Sequence, residues 1–321
     1  MPETDGHIIF DSYGVCNCCQ EAKVSHSMAE NEVYGINELK KIISSQLQES
    51  HGKYDCMVAV SGGKDSIMCL HVAKAVLGLN PLAVFVDNGF CVPEMFHNIH
   101  SAVEKLNIDF ISFRSNELRN IFKELLLTKK PIYYCRICHE MIDIYLREIA
   151  QKYDIKMLLG GYTKGQAYSR SSELYWIFDE SDRNTIEALI QKPEYEKIAE
   201  IVSNHAMYLY ENFDSIYQIN PFEYIEYDEQ AIITFLKEHY DFRLPSNSWP
   251  KDSTNCLFNY VSQYLARIHF GYSQHETEIS ALVRNGEMKR ERALELINTP
   301  ITNEILEDVL SRIGLTLKDV L

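Results

Sequence analysis

Ser61-Gly62-Gly63-Lys64-Asp65-Ser66 sets hydroxyls, an ammonium, a carboxylate and two glycines in consecutive positions. The run follows a short apolar stretch, residues 54–60, and precedes a helical one, residues 66–77. A strand, a tight turn and a helix of this composition suit a phosphate. Gly62 and Gly63 let the backbone turn sharply and bring amides close to a ligand. The helix start adds unpaired N–H donors and a positive dipole end. Ser61 and Ser66 offer hydroxyls, Lys64 a point charge, and Asp65 a carboxylate suited to Mg2+. The Gly-x-x-x-x-Gly-Lys spacing of a Walker A loop is absent.

A second chemistry resides in the nine cysteines, at 16, 18, 19, 56, 69, 91, 135, 138 and 256. An odd count without an export signal argues against a disulfide framework and turns Cys-x-x-Cys spacing towards metal or redox chemistry. Cys135 and Cys138 open a helix, so both thiols can face one centre, and the helix end is expected to lower their pKa. Cys256 also sits at a helix start. Cys16 and Cys19 are zinc candidates with His7 or His26, since a closed zinc site needs four ligands. Cys56, Cys69 and Cys91 fall on strand or helix positions and read as core.

The elements that must position these residues alternate. Strands are expected at 54–60, 81–86, 109–113 and 155–159, and helices at 36–49, 66–77, 93–106, 117–127 and 139–153. This pattern predicts an α/β fold, a parallel twisted sheet flanked by helices. Ligands of such sheets lie beyond the carboxyl ends of the strands. The turns at 61–66, 87–89 and 160–161 all occupy such ends and should converge. Asp87 either faces the ligand or caps its own turn; Lys164, after Gly160 and Gly161, either reaches phosphates or lies in solvent. Beyond residue 170 the strand signal fades, and helices are expected at 185–210, 228–240, 255–270, 276–284, 289–297 and 303–313. The expected division is a Cys-containing N-terminal segment over 1–35, a nucleotide domain over 36–170 and a helical C-terminal region over 171–321.

Composition narrows the partners. The chain has 321 residues, 46% hydrophobic and 24% charged, ordinary for a globular protein. No apolar run is long enough to cross a bilayer, so a cytoplasmic location without membrane contact is expected. The net charge of -15 disfavours a long nucleic acid and favours a small-molecule acceptor over tRNA. A homodimer is compatible with the chain.

The loop resembles the PP-loop signature of ATP pyrophosphatases, the superfamily of GMP synthetase, NAD synthetase and the tRNA-thiolating enzymes. The resemblance implies a PP-loop, HUP-like fold that binds ATP and Mg2+. ATP would be cut between its α- and β-phosphates: a substrate oxygen attacks the α-phosphorus, pyrophosphate leaves, and nitrogen or sulfur then displaces AMP. ATP contacts are implied at Ala59, Val60, Ser61, Gly62, Gly63, Lys64, Asp65, Ser66, Val86, Asp87, Gly160, Gly161 and Lys164.

Cys135, Cys138 and Cys256 resemble, in order and spacing, the cysteines of tRNA 2-thiolation enzymes. There such cysteines carry sulfur or hold a [4Fe-4S] cluster with one iron open to sulfide. Carried over, Asp65, Cys135, Cys138 and Cys256 form the catalytic set. A second likeness runs through residues 10–19, the loop, Val86-Asp87-Asn88-Gly89 and Val283-Arg284-Asn285-Gly286. It is to N-acetyl sugar amidotransferases, which insert nitrogen. The leading expectation is ATP-dependent sulfur insertion, on a small molecule such as a purine nucleotide or on tRNA, fed by a sulfur donor. The alternative is insertion of ammonia from a separate glutaminase.

Overall fold

The computed structural model describes residues 7–25, 35–47, 52–162, 172–250, 255–286 and 288–321. Its centre is a five-stranded parallel sheet: β1 (Cys56–Ala59), β2 (Pro81–Asp87), β3 (Asp109–Arg114), β4 (Met157–Leu159) and β5 (Tyr217–Ile219). The order is β3-β2-β1-β4-β5, with Val58 opposite Ala83 in β2 and Leu159 in β4. Strand order reverses beside β1, which opens a crevice at the carboxyl ends of β1 and β4.

Alternation along the strands covers both faces. Met57, Leu82, Val84, Val86 and Leu158 point to one layer; Cys56, Val58, Val60, Ala83, Phe85, Met157 and Leu159 point to the other. Following α1 (Asn17–Ser25), the second layer contains α2 (Ile36–Leu47), α3 (Lys64–His71) and α4 (Pro93–Leu106). The first layer contains α5 (Asn116–Leu127) and α6 (Tyr134–Lys152). In α6, Ile137, Cys138, Met141, Ile144 and Tyr145 recur at helical spacing and are buried.

The C-terminal region is largely helical: α7 (Ser172–Leu189), α8 (Glu196–Ser203), α9 (His205–Phe213), α10 (Glu229–Tyr240), α11 (Phe258–Phe270), α12 (Gln274–Arg284), α13 (Arg290–Ile297), α14 (Asn303–Ser311) and α15 (Leu317–Val320). Ile232, Leu236 and Tyr240 of α10 pack into the second layer; Phe258, Val261 and Leu265 of α11 pack into the first. The side chains of Ser273 and Glu276 close a capping box that starts α12.

Three expectations change. The helix foreseen over 185–210 is interrupted by a 3-10 turn at Pro193–Tyr195 and by Asn204, whose side chain accepts from Met207 N at 3.2 Å and starts a new helix. The sheet gains β5 from within the region read as helical. The helix foreseen from 139 begins at Tyr134, because Tyr133, Tyr134 and Ile137 are buried and lock its first turn into the core.

Candidate functional site

The β1–α3 turn stands at the crevice. Gly62 has φ +81°, and a Cβ there would lie 2.5 Å from the Met95 carbonyl oxygen, so only glycine fits. Buried Asn98 of α4 pins the turn, its amide donating to Gly62 O at 2.9 Å. Gly63 enters α3 in an extended conformation and no side chain caps the helix. Ser66 Oγ accepts from Ser61 N at 3.1 Å and lies 3.2 Å from Ser61 Oγ, and Asn255 Nδ2 donates to Ser61 Oγ at 2.8 Å.

The charges here are already paired. Lys64 Nζ lies 3.1 Å from both Asp65 Oδ2 and Glu229 Oε1. Burial alone would lower its pKa, but Asp65 and Glu229 together raise it, so the ammonium stays charged. Tyr227 donates its hydroxyl to Asp65 Oδ1 at 2.6 Å. Burial, and then Asp65, push the Tyr227 hydroxyl far above its ordinary value, so it remains a donor. At the end of β4, a Cβ on Gly161 would come within 3.0 Å of the Asp65–Ser66 peptide, which lets these two turns touch.

From the loop a cavity of about 1150 Å³ runs towards α6, α11 and α12. Ala59, Val60, Ser61, Gly63, Lys64, Asp65, Ser66, Val86, Gly160 and Gly161 line it. Asp87 turns away: it accepts from Gly89 N and from Arg114 Nε, each at 2.7 Å, and so closes its own turn. Lys164 lies outside the described residues.

At the far end the thiols gather. Asn88, just past β2, donates through Nδ2 to Cys256 Sγ at 3.4 Å and to Cys138 Sγ at 3.6 Å. Cys135 Sγ lies 3.3 Å from Ser262 Oγ of α11. All three cysteines line the cavity. The lowering expected at Cys135 and Cys138 is reversed: burial pushes Cys135 up to about 11 and raises Cys138, and it raises Cys256 as well. Desolvation outweighs the pull of the helix end.

Other side chains complete this wall. Arg136, between the two cysteines, is salt-bridged: its guanidinium holds Asp182 at 3.0 Å and Glu140 at 3.1 Å and covers the Phe178 ring. His139 is exposed to the cavity, and the protein walls around it lower its pKa by desolvation. His275 Nδ1 meets Glu278 Oε2 at 3.0 Å. Cys91, expected in the core, packs against both core layers and also borders the cavity opposite Cys256.

The N-terminal cysteines lie elsewhere. Cys16 and Cys18 are buried with Ile8, Tyr133 and Tyr272. Burial, and then Cys16, raise the Cys19 pKa, and His7 stacks on Trp176 with centroids 4.6 Å apart. His26 lies outside the described residues. Among the described residues, no three His, Cys, Asp or Glu side chains are grouped to hold a single metal ion, and no helix is long and apolar enough to cross a membrane.

Sequence reasoning gave Tyr227, Glu229 and Asn255 no role at the loop, and Asn88, His275 and Glu278 none beside the thiols. Asn88 carried a signal, lying in a turn already assigned to the crevice; the others reach the site only through folding.

Comparison with known proteins adds the following. The phosphoadenosine phosphosulfate reductase domain matches residues 55–240, and the C-terminal domain of LPS biosynthesis protein WbpG-like chains matches residues 254–320. An uncharacterized protein of Methanocaldococcus jannaschii is 23% identical over 281 residues, 86% of this chain and 83% of that one. Similar solved structures include the U34-tRNA thiolase NcsA from Methanococcus maripaludis with its [4Fe-4S] cluster, at TM-score 0.36 and 14% identity, covering 81% of this chain and 78% of that one. NMN synthetase from Francisella tularensis gives TM-score 0.38 and 14% identity, covering 88% of this chain and 97% of that one.

Proposed function

This chain belongs to the phosphoadenosine phosphosulfate reductase domain family, of adenine nucleotide alpha-hydrolase type, and from that membership we propose that it adenylates a substrate carbonyl oxygen with ATP and replaces that oxygen with sulfur. The observation that carries the reading is one cavity with a phosphate loop at one end and three thiols at the other.

The residues divide the work. Backbone amides at the start of α3, with Ser61 and Ser66, would hold the β- and γ-phosphates. Lys64 would exchange Asp65 and Glu229 for phosphate oxygens, freeing Asp65 for Mg2+, whose charge would help pyrophosphate leave. The acceptor oxygen bonds to the α-phosphorus as the bond to the β-phosphate bridge breaks; sulfur then displaces AMP. Val86 and the 160–161 turn would flank the nucleoside.

The thiols also fit a [4Fe-4S] cluster. Cys138 and Cys256 share one amide, and Cys135 lies on the same wall, yet no set of three is drawn in to a single ion. Such a cluster would supply a place for a terminal sulfide. Cys135, Cys138 and Cys256 would hold it, and Asn88 would orient two of them. A small-molecule acceptor fits the acidic chain better than tRNA.

A second reading, nitrogen insertion into an N-acetyl sugar, is favoured by the WbpG-like match over 254–320, which includes Cys256 and the Val283–Gly286 motif. One experiment separates the two. Anaerobically purified protein is assayed for iron and sulfide, then for AMP formation on purine nucleotides and N-acetyl sugars, with sulfide or with ammonium. The sulfur reading requires bound iron and loss of product in Cys135→Ser. Ammonium-driven turnover indifferent to Cys135→Ser would replace it with the nitrogen reading.

A further inference from the structure

Cys91 follows the β2 turn and Cys256 precedes α11, and the two face each other in an isolated antiparallel bridge. The flanking bonds define the pair: Val92 N donates to Asn255 O at 3.1 Å and Leu257 N donates to Phe90 O at 2.8 Å. Cys91 and Cys256 therefore occupy a non-hydrogen-bonded position, where opposed Cα atoms are about 4.5 Å apart and the side chains stand on one face. A disulfide needs Cα atoms about 4.4–6.8 Å apart. Both residues also line the cavity.

From this geometry we infer that Cys91 is the resolving thiol of Cys256. When Cys256 Sγ carries a further sulfur, as a persulfide or mixed disulfide, Cys91 attacks Cys256 Sγ and its proton passes to the departing outer sulfur. The bond between Cys91 and Cys256 forms. The bond from Cys256 to the outer sulfur breaks, and that sulfur leaves with the electron pair and the proton, as hydrogen sulfide or a thiol. The oxidising equivalents arrive with the outer sulfur, so no other oxidant is needed, and a small thiol reductant restores the pair. The pair's fixed opposition supplies a high effective concentration once that sulfur arrives.

Cys138 and Cys135 are the competitors. Cys138 shares the Asn88 amide with Cys256, but neither has the cross-strand register. The purpose of the pair, release of sulfur into the cavity, rests on the sulfur reading with Cys256 free of any cluster; the pairing itself needs neither ATP nor acceptor.

The test treats the reduced full-length chain, without ATP, with hydroxyethyl disulfide, followed by acid quench and peptide mapping by mass spectrometry. The unsubstituted chain should yield a cross-linked Cys91–Cys256 peptide, with no lasting adduct on Cys256. Cys91→Ser, and Cys91→Ala as a second variant, should instead accumulate the hydroxyethylthio adduct on Cys256. A stable adduct on Cys256 in the unsubstituted chain would overturn the inference. So would a disulfide from Cys256 to Cys135 or Cys138, or a Cys256 that never reacts. A Cys91–Cys256 disulfide in a protein that holds no iron and inserts nitrogen would uphold the pairing while removing the sulfur reading.

Discussion

The two ends of the cavity are built on opposite plans. At the phosphate end, one contiguous hexapeptide supplies the loop, and charges come already paired: Lys64 between Asp65 and Glu229, Asp65 under Tyr227. At the thiol end, three separate segments supply Asn88, Cys135 with Cys138, and Cys256, and burial raises the pKa of the thiols. A site for a polyanion needs cations kept charged in advance. A site for soft sulfur chemistry can keep its thiols neutral until a cluster or an electrophile binds.

If the ends are separate devices, damage to one should spare the other. Lys64→Ala should do most harm, lowering ATP-dependent pyrophosphate release about 100- to 1000-fold in a coupled assay, with the cysteine reactivities unchanged. Gly62→Ala forces a left-handed backbone and a clash with Met95, and should cost about 1–3 kcal/mol of stability, seen as a lower thermal midpoint. Cys135→Ser should remove bound iron while leaving nucleotide affinity at its original value; a parallel loss of ATP binding would show the ends to be one device. Tyr227→Phe removes a hydrogen bond to a charged carboxylate, of about 1.5–3 kcal/mol, and should slow pyrophosphate release about tenfold or more.

The smallest effect concerns thiol acidity. With Cys135 pushed up to about 11, its alkylation by iodoacetamide in the iron-free chain should be slow at neutral pH and still rising above pH 10. Asn88 opposes the upward shift at Cys138 and Cys256, so Asn88→Ala should slow alkylation of both severalfold. Full reactivity of these thiols at pH 7 would mean that the helix end, not burial, governs them.

The same contrast explains what the sequence made legible. The loop could be read because its chemistry is local: six neighbours, a strand before and a helix after. The parallel sheet followed from four strong apolar runs. Its fifth strand, Tyr217-Gln218-Ile219, is too short to show a period and is specified by pairing with β4. Tyr227 and Glu229 reach Asp65 and Lys64 because α10 packs on α3, a contact that no local pattern encodes. Helix polarity suggested acidic thiols at Cys135 and Cys138, whereas burial by the folded chain around them reversed the sign. The core reading of Cys91 was sound, since it packs against both layers, but its place opposite Cys256 carried no local signal, the two being 165 positions apart.

The phosphate loop admits a test without any acceptor. Calorimetric titration with α,β-methylene-ATP, pyrophosphate and AMP, each with Mg2+, asks where the affinity resides. Pyrophosphate should compete with the ATP analogue, AMP should bind far more weakly than either, and Lys64→Ala should erase the difference. Equal affinity for AMP and the analogue, or no binding of the analogue, would contradict the assignment of residues 61–66 to the outer phosphates.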